Sequence, residues 1–232
     1  LKFLTENSKI FRENINTKII AITGSCGKTT LKELLGNSLK KISKVGISPK
    51  SFNNKYGVPL SLLNLGQNNY YGVLELGMDK KGEINYLSKI VQPDVSVITN
   101  ISYAHAKNFG NLKQIALAKS EIINNTRNNG FIVLNADDDF YNFHKKIAEK
   151  KNLKILSFGI KSKNSNIKLI SIKKKGKKFK ANIRINNLKT YFLISNNFQN
   201  NILNILATLA VMSIFLDISK ISKNSFANFQ TP

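Results

Sequence analysis

Short apolar runs alternate with amphipathic helical segments along most of the chain, which predicts an α/β domain built on a mostly parallel sheet with flanking helices. Two further features refine that expectation. Lys18 to Leu35, KIIAITGSCGKTTLKELL, joins a buried-strand pattern to a helix through a glycine turn, the construction of a phosphate-binding (P-loop type) segment. From Asn166 to Ser195 the period falls to two, adding a small antiparallel β-meander to the parallel core.

In order, Leu1 to Asn14 sets Leu1, Leu4, Ser8 and Phe11 at helical spacing and reads as a lead-in helix. Ile19 to Ile22 is a strand, Gly24-Ser25-Cys26-Gly27 turns the chain, and Lys28-Thr29-Thr30 opens a helix. That helix carries Leu31, Leu34 and Leu35 on one face and runs to about Ile42. A short strand near Lys44 to Ile47 precedes the loop Ser48 to Gly57, and Pro59 sits where it can start a helix over Val58 to Leu65. Strands follow at Tyr71 to Leu76, Val95 to Thr99, Phe131 to Leu134 and Leu153 to Phe158. Helices are expected from Gly82, over Ile115 to Asn125 and over Asp137 to Lys150. In the meander, Phe179, Ala181, Ile183 and Ile185 share one face, with turns at Gly176 and Asn186-Asn187. A helix from about Phe198 to Leu216 and a shorter one near Ile221 to Asn228 close the pattern.

Composition narrows the function classes. A chain of 232 residues with 42% hydrophobic content buries a sizeable core. The segment LKFLTENSKIFRENIN lacks the apolar run of a signal peptide, and Ile205 to Leu216 is too short to span a bilayer. A cytoplasmic protein without membrane insertion is expected, and one cysteine excludes an internal disulfide. The 36 Lys and Arg against 13 Asp and Glu give +23, which raises nucleic-acid binding as a possibility. The lysines are scattered, however, and their tightest cluster, Lys173 to Lys180, falls at a hairpin tip and is accompanied by no aromatic-interleaved basic motif. Solvated faces and attraction of polyanionic substrates account for the charge, and no nucleic-acid partner is expected.

The glycines of the turn let the backbone approach an anion, toward which the first helical amides point. Lys28 adds a full positive charge, and the Thr29 hydroxyl can reach magnesium. The spacing Gly-x-x-Gly-Lys-Thr is shorter than the usual loop, so the pattern alone is only moderately specific. Ligands of an open α/β sheet bind beyond the carboxyl ends of its strands. Glu75 ends one apolar strand and Thr99-Asn100 another, so both are expected at the same edge as the loop. Thr29 and Glu75 then supply two hard oxygen ligands for magnesium, whereas the bland alternative is a strand-end surface acid.

The segments GSCGKTT, SFNNKYGVPLSLL, ELGMDKKGEI, QPDVSVITNISYAHAKNFGNLKQIALAKSEI and LNADDD, in that order, resemble the Mur ligase family over nearly the whole chain. The resemblance implies an ATP-dependent carboxylate–amine ligase of cell-wall synthesis. Asn-Asn-x-x-Gly-Val-Pro and Glu-Leu-Gly with Gly-Glu-Ile resemble most the member that joins D-alanyl-D-alanine to a UDP-N-acetylmuramoyl tripeptide through an acyl phosphate. Gly24, Ser25, Cys26, Gly27, Lys28, Thr29 and Thr30 are then implied to wrap the ATP phosphates, Cys26 through its backbone only. Thr29 and Glu75 are implied to hold one Mg2+, and His105 a second. Lys119, by itself a lysine on an amphipathic helix, is implied to be carbamylated and to orient that second metal. Asn53 and Asn54 fall near the muramoyl peptide, although a turn pair explains them nearly as well. Asn204 and Asn201 are implied to contact adenine, and here the sequence departs from the family, reading Phe198-Gln199-Asn200-Asn201 where Gly-x-His-Asn is usual. Asn135 and Asp137 line the nucleotide pocket or cap the next helix, and His144 has no assigned role.

The start on Leu1 and the stop at Pro232 fit a portion of a longer protein. Residues 1–15 would lead in from an N-terminal domain, 16–228 form the central ATP-binding domain, and 229–232 begin a linker to a C-terminal domain. Such a portion is expected to be monomeric, to bind nucleotide weakly and not to turn over. Three readings remain open beside it: another amide ligase of the superfamily, such as a single-amino-acid Mur ligase, folylpolyglutamate synthase or cyanophycin-type synthetase; a basic nucleic-acid-binding ATPase; and a non-catalytic nucleotide-binding module.

Overall fold

The computed structural model describes residues 1–66, 68–103, 108–195 and 199–229. The strands among them are β1 (Lys18–Thr23), β2 (Val45–Ile47), β3 (Tyr71–Glu75), β4 (Val95–Ile98), β5 (Phe131–Asn135), β6 (Lys154–Gly159), β7 (Ile167–Lys175), β8 (Lys178–Ile185) and β9 (Leu188–Ile194). They form one sheet in the order β2-β3-β1-β4-β5-β6-β7-β8-β9. Pairing is parallel from β2 through β7 and antiparallel across β7, β8 and β9, so the parallel core and the appended meander both appear as expected.

The helices are α1 (Lys2–Asn14), α2 (Lys28–Lys40), α3 (Gly57–Leu63), α4 (Glu83–Val91), α5 (Leu112–Asn124), α6 (Tyr141–Lys150) and α7 (Gln199–Phe215). Alternation along each strand divides the apolar side chains between two layers. Ile20 and Ile22 of β1 pack with Leu31, Leu35 and Leu39 of α2 and Leu206, Leu209 and Ala210 of α7. Ile19 and Ala21 pack on the opposite face with Val58, Ile84, Leu87, Ile115 and Ile122 from α3, α4 and α5. In the meander, Ala181, Ile183 and Ile185 are buried and the intervening Asn182 and Arg184 are not, matching the period of two.

The lead-in helix is anchored less by its apolar residues than by Arg12, whose side chain is completely buried. It donates to the carbonyls of Val91, Thr17 and Gln92 and pairs with Asp94 at 2.8 Å, tying α1 to the α4–β4 corner. Phe3 and Ile10 face outward.

Two helical expectations are corrected. Residues 221–228 form turns, preceded by a short 3-10 turn at Ile218–Lys220. The exposed edge of β9 wins this segment: Leu193 N donates to Lys223 O at 2.8 Å, Phe226 forms a bridge with Ile194, and its ring packs on Phe192. Also, α6 begins at Tyr141 instead of Asp137. The Asp137 carboxylate accepts from the amides of Ile160, Lys161 and Ser162, and Asp138 accepts from those of Ile101 and Phe140. Asp137 thus closes the loop after β6 and caps no helix.

The chain leaves β1 for the edge strand β2, returns to β3 beside β1, and then crosses to β4 on the other side of β1. That reversal opens a crevice beyond the carboxyl ends of β1, β3 and β4.

Candidate active site

The loop after β1 lies in this crevice. Gly24 has φ of +147° and Gly27, the residue before α2, has φ of +80°, conformations that L side chains rarely adopt. A Cβ on Gly24 would lie 1.8 Å from Thr99 Oγ1, so close approach of two strand ends also demands glycine there. The segment after β4 braces the loop. Ser25 N donates to Asn100 O and Cys26 N to Asn100 Oδ1, each at 2.9 Å, while Thr99 Oγ1 donates to Cys26 O at 2.7 Å. Ser25 and Ser102 exchange a further pair of hydrogen bonds. Lys28 curls back over this frame, its Nζ 3.0 Å from Gly24 O. The first amides of α2 carry no side-chain cap, leaving the partial positive end of the helix directed into the crevice.

Glu75 ends β3 with only 1% of its surface exposed. Thr29 Oγ1 donates to its Oε2 at 2.9 Å and Asn53 Nδ2 to its Oε1 at 2.8 Å. The surface-acid reading is therefore excluded. This hydroxyl and carboxylate suit magnesium, a hard cation that takes one or two protein oxygens and keeps waters and phosphate oxygens. Among the described residues no group of three or more His, Cys, Asp or Glu forms an all-protein metal cage.

Lys119 reaches the loop from α5. It is 2% exposed, and Nζ donates to Gly24 O at 2.9 Å, opposite Lys28. Burial, reinforced by the Lys28 charge, lowers its pKa to about 7. A solvated lysine on a helix face, the reading from pattern alone, is thus replaced by a buried amine beside the phosphate loop. His105 lies outside the described residues. His144 is buried in α6 with Nε2 3.1 Å from Ala116 O, and burial lowers its pKa, a packing role.

Two hollows flank the loop. A cavity of about 240 Å³ is lined by Cys26, Gly27, Thr30, Phe158, Asn201 and Asn204 among others, and Asn204 faces Gly27 closely. Asn135 and Asp137 do not line it. Asn135 instead donates to Thr99 O, bracing the ends of β4 and β5. On the other side a cleft of about 760 Å³ is bordered by Lys28, Asn53, Asn54, Lys55, Tyr56 and the 77–83 segment. Asn54 Oδ1 accepts from the amides of Tyr56 and Gly57, so its turn role is realised at the cleft wall.

Sequence reasoning missed Lys32 and Glu121. Lys32 lies three residues after Thr29 on the same helix face, and that spacing was its only signal. Its side chain is fully buried, with Nζ 4.0 Å from Glu75 Oε2 and 3.4 Å from Glu33 Oε1. Glu121 accepts from the amides of Gly82 and Asn85, capping α4 and fixing the cleft's far wall.

Fold and site together define an α/β nucleotide-phosphate-binding domain whose loop, acidic strand end and buried lysine meet at one switch point. The Mur ligase middle domain matches residues 22–212, and the chain belongs to the Mur ligase family. It is 38% identical over 222 residues to UDP-N-acetylmuramoyl-tripeptide–D-alanyl-D-alanine ligase of Buchnera aphidicola subsp. Baizongia pistaciae, covering 92% of this chain and 46% of that protein. Its structure is similar to MurF from Acinetobacter baumannii, with a TM-score of 0.90 and 32% identity over 99% of this chain and 50% of that one. MurF from Thermotoga maritima in complex with ADP gives 0.88 and 29%, over 100% and 52%. The chain spans about half the length of the relatives it matches.

Proposed function

We propose that the chain is the central ATP-binding portion, residues 16–228, of a cytoplasmic ligase that joins D-alanyl-D-alanine to UDP-N-acetylmuramoyl tripeptide. Residues 1–15 and 229–232 would link it to the flanking domains. The names of its relatives support the substrates, and the ADP complex of the Thermotoga protein supports the nucleotide. The observation that carries the reading is the convergence of Lys28, Thr29, Glu75 and Lys119 on one loop.

In this reading the substrate carboxylate attacks the γ-phosphorus of ATP, and ADP leaves. The dipeptide amine then attacks the acyl carbon of the acyl phosphate, loses a proton and expels inorganic phosphate. The protein's task is to position these groups and offset their crowded negative charge. The loop amides from Gly24 to Thr30 and the Lys28 ammonium cradle the phosphates, and Asn201 and Asn204 border the adenine. Asn53 and Asn54 lie on the muramoyl-peptide side. Thr29 and Glu75 would hold Mg2+, which when bound neutralises phosphate charge. The second-metal ligand set would comprise His105 and a carbamylated Lys119. A buried amine with a pKa lowered to about 7 is largely unprotonated above neutrality, the form that adds to carbon dioxide.

The test mixes the complete protein with UDP-N-acetylmuramoyl tripeptide, D-alanyl-D-alanine and ATP and follows ADP release and product mass. Release should require both acceptor substrates and be lost in Lys28→Ala and Lys119→Ala. Equal ADP release with a single amino acid in place of the dipeptide would favour a different amide ligase.

A further inference from the structure

Lys32 is a buried cation that the steps above leave unused. Such a residue is retained only where specific partners hold it. Its firmest partner is neither acid: Nζ donates to the backbone carbonyl of Lys50, in the loop between β2 and α3. Lys50 itself has φ of +42°, a left-handed conformation without the excuse of glycine, so its geometry costs energy that a fixed contact must offset. Three residues on, Asn53 Nδ2 holds Glu75 Oε1, and Asn53 O accepts from Gly77 N at 2.7 Å. The following residues, Asn54, Lys55 and Tyr56, form one wall of the 760 Å³ cleft. Lys32 is therefore the link between α2, whose first turn carries the phosphate-loop residues, and the loop that shapes the cleft.

We propose that Lys32 is a positioning residue that sets the cleft loop, through the Lys50 carbonyl, in register with the phosphate site. It thereby governs affinity for the anionic acceptor substrate and not for the nucleotide. Glu75 keeps its orientation without Lys32, since Thr29 and Asn53 each hold one of its oxygens. The identity of the acceptor rests on the function proposed above.

The test measures steady-state kinetics of the complete protein with UDP-N-acetylmuramoyl tripeptide, alongside direct binding of ADP with Mg2+. Lys32→Met removes the donor at nearly constant volume. Lys50→Pro attacks the other end of the same contact from an exposed loop, because proline cannot adopt φ of +42°. Each variant should raise KM for the muramoyl tripeptide by about 10-fold or more, in the range for lost supporting contacts, with kcat and ADP affinity within about threefold of wild type. Lys32→Arg, which keeps a charged donor, should recover part of the KM. If Lys32→Met fails to fold, Lys50→Pro carries the same KM expectation alone. An unchanged KM in Lys50→Pro, or a loss of ADP affinity matching the rise in KM, overturns the proposal. Absence of any ligation by the wild-type protein would instead overturn the function on which it rests.

Discussion

Replacing Lys119 with methionine tests the electrostatics of the buried amine directly. In the unfolded chain this lysine takes up its proton at its ordinary pKa of 10.5, whereas in the folded protein it does so only at about 7. Between those values the unfolded state binds more protons, so the lysine's contribution to stability rises with pH. At about 1.4 kcal/mol per pKa unit, protonating the buried amine costs about 5 kcal/mol well below pH 7 and nothing above 10.5. Between pH 7 and pH 9 the penalty shrinks by about 2 kcal/mol. Lys119→Met lacks the titrating group, so its stability advantage over the wild type should fall by that amount across the interval. Urea unfolding of the 232-residue chain, followed by far-UV circular dichroism in carbon-dioxide-free buffer, reads this difference. Parallel pH profiles for the two proteins would refute the reasoning and show that the ammonium is solvated or matched by a charge partner. Carbamylation of the amine on adding bicarbonate should raise and steepen the wild-type profile alone near pH 7, since the folded carbamate takes up no proton while the unfolded amine still does.

Gly24→Ala would place a methyl 1.8 Å from Thr99 Oγ1 at a φ of +147°. It should lower stability by about 2–4 kcal/mol in thermal or urea unfolding and abolish ADP binding in calorimetry. Glu75→Gln keeps the shape and a partner for Thr29 but loses the charge. The tightening of ADP binding by Mg2+ should drop about 10–100-fold, with metal-free affinity little changed. Arg12→Met removes the donor to three backbone carbonyls and to Asp94, which keeps Ile19 N and Lys18 as partners, so urea unfolding should show a loss of about 3–5 kcal/mol without a change in ADP affinity.

The α/β architecture, the meander and the phosphate loop were legible in the amino-acid order because each rests on local pattern. Ile19 to Ile22 alternates between two buried layers, Phe179 to Ile185 repeats every second residue, and Gly24 and Gly27 occupy positions where the backbone turns left-handed. Residues 221–228 misled for the opposite reason. Their helical spacing was outweighed by the open edge of β9, a partner 30 residues away in sequence that no local window contains. Asp137 likewise left the start of α6 to close a loop after β6.

The sequence alone therefore determined which elements form and which residue types could meet a phosphate, since turn geometry and hydrophobic period act within a few residues. Tertiary structure alone decided that Lys119 and Lys32 are buried, and that Glu75 is shared by Thr29 and Asn53. Burial and charge proximity depend on how distant segments pack around the switch beside β1, and they turn ordinary lysines into a lowered-pKa amine and an internal clamp.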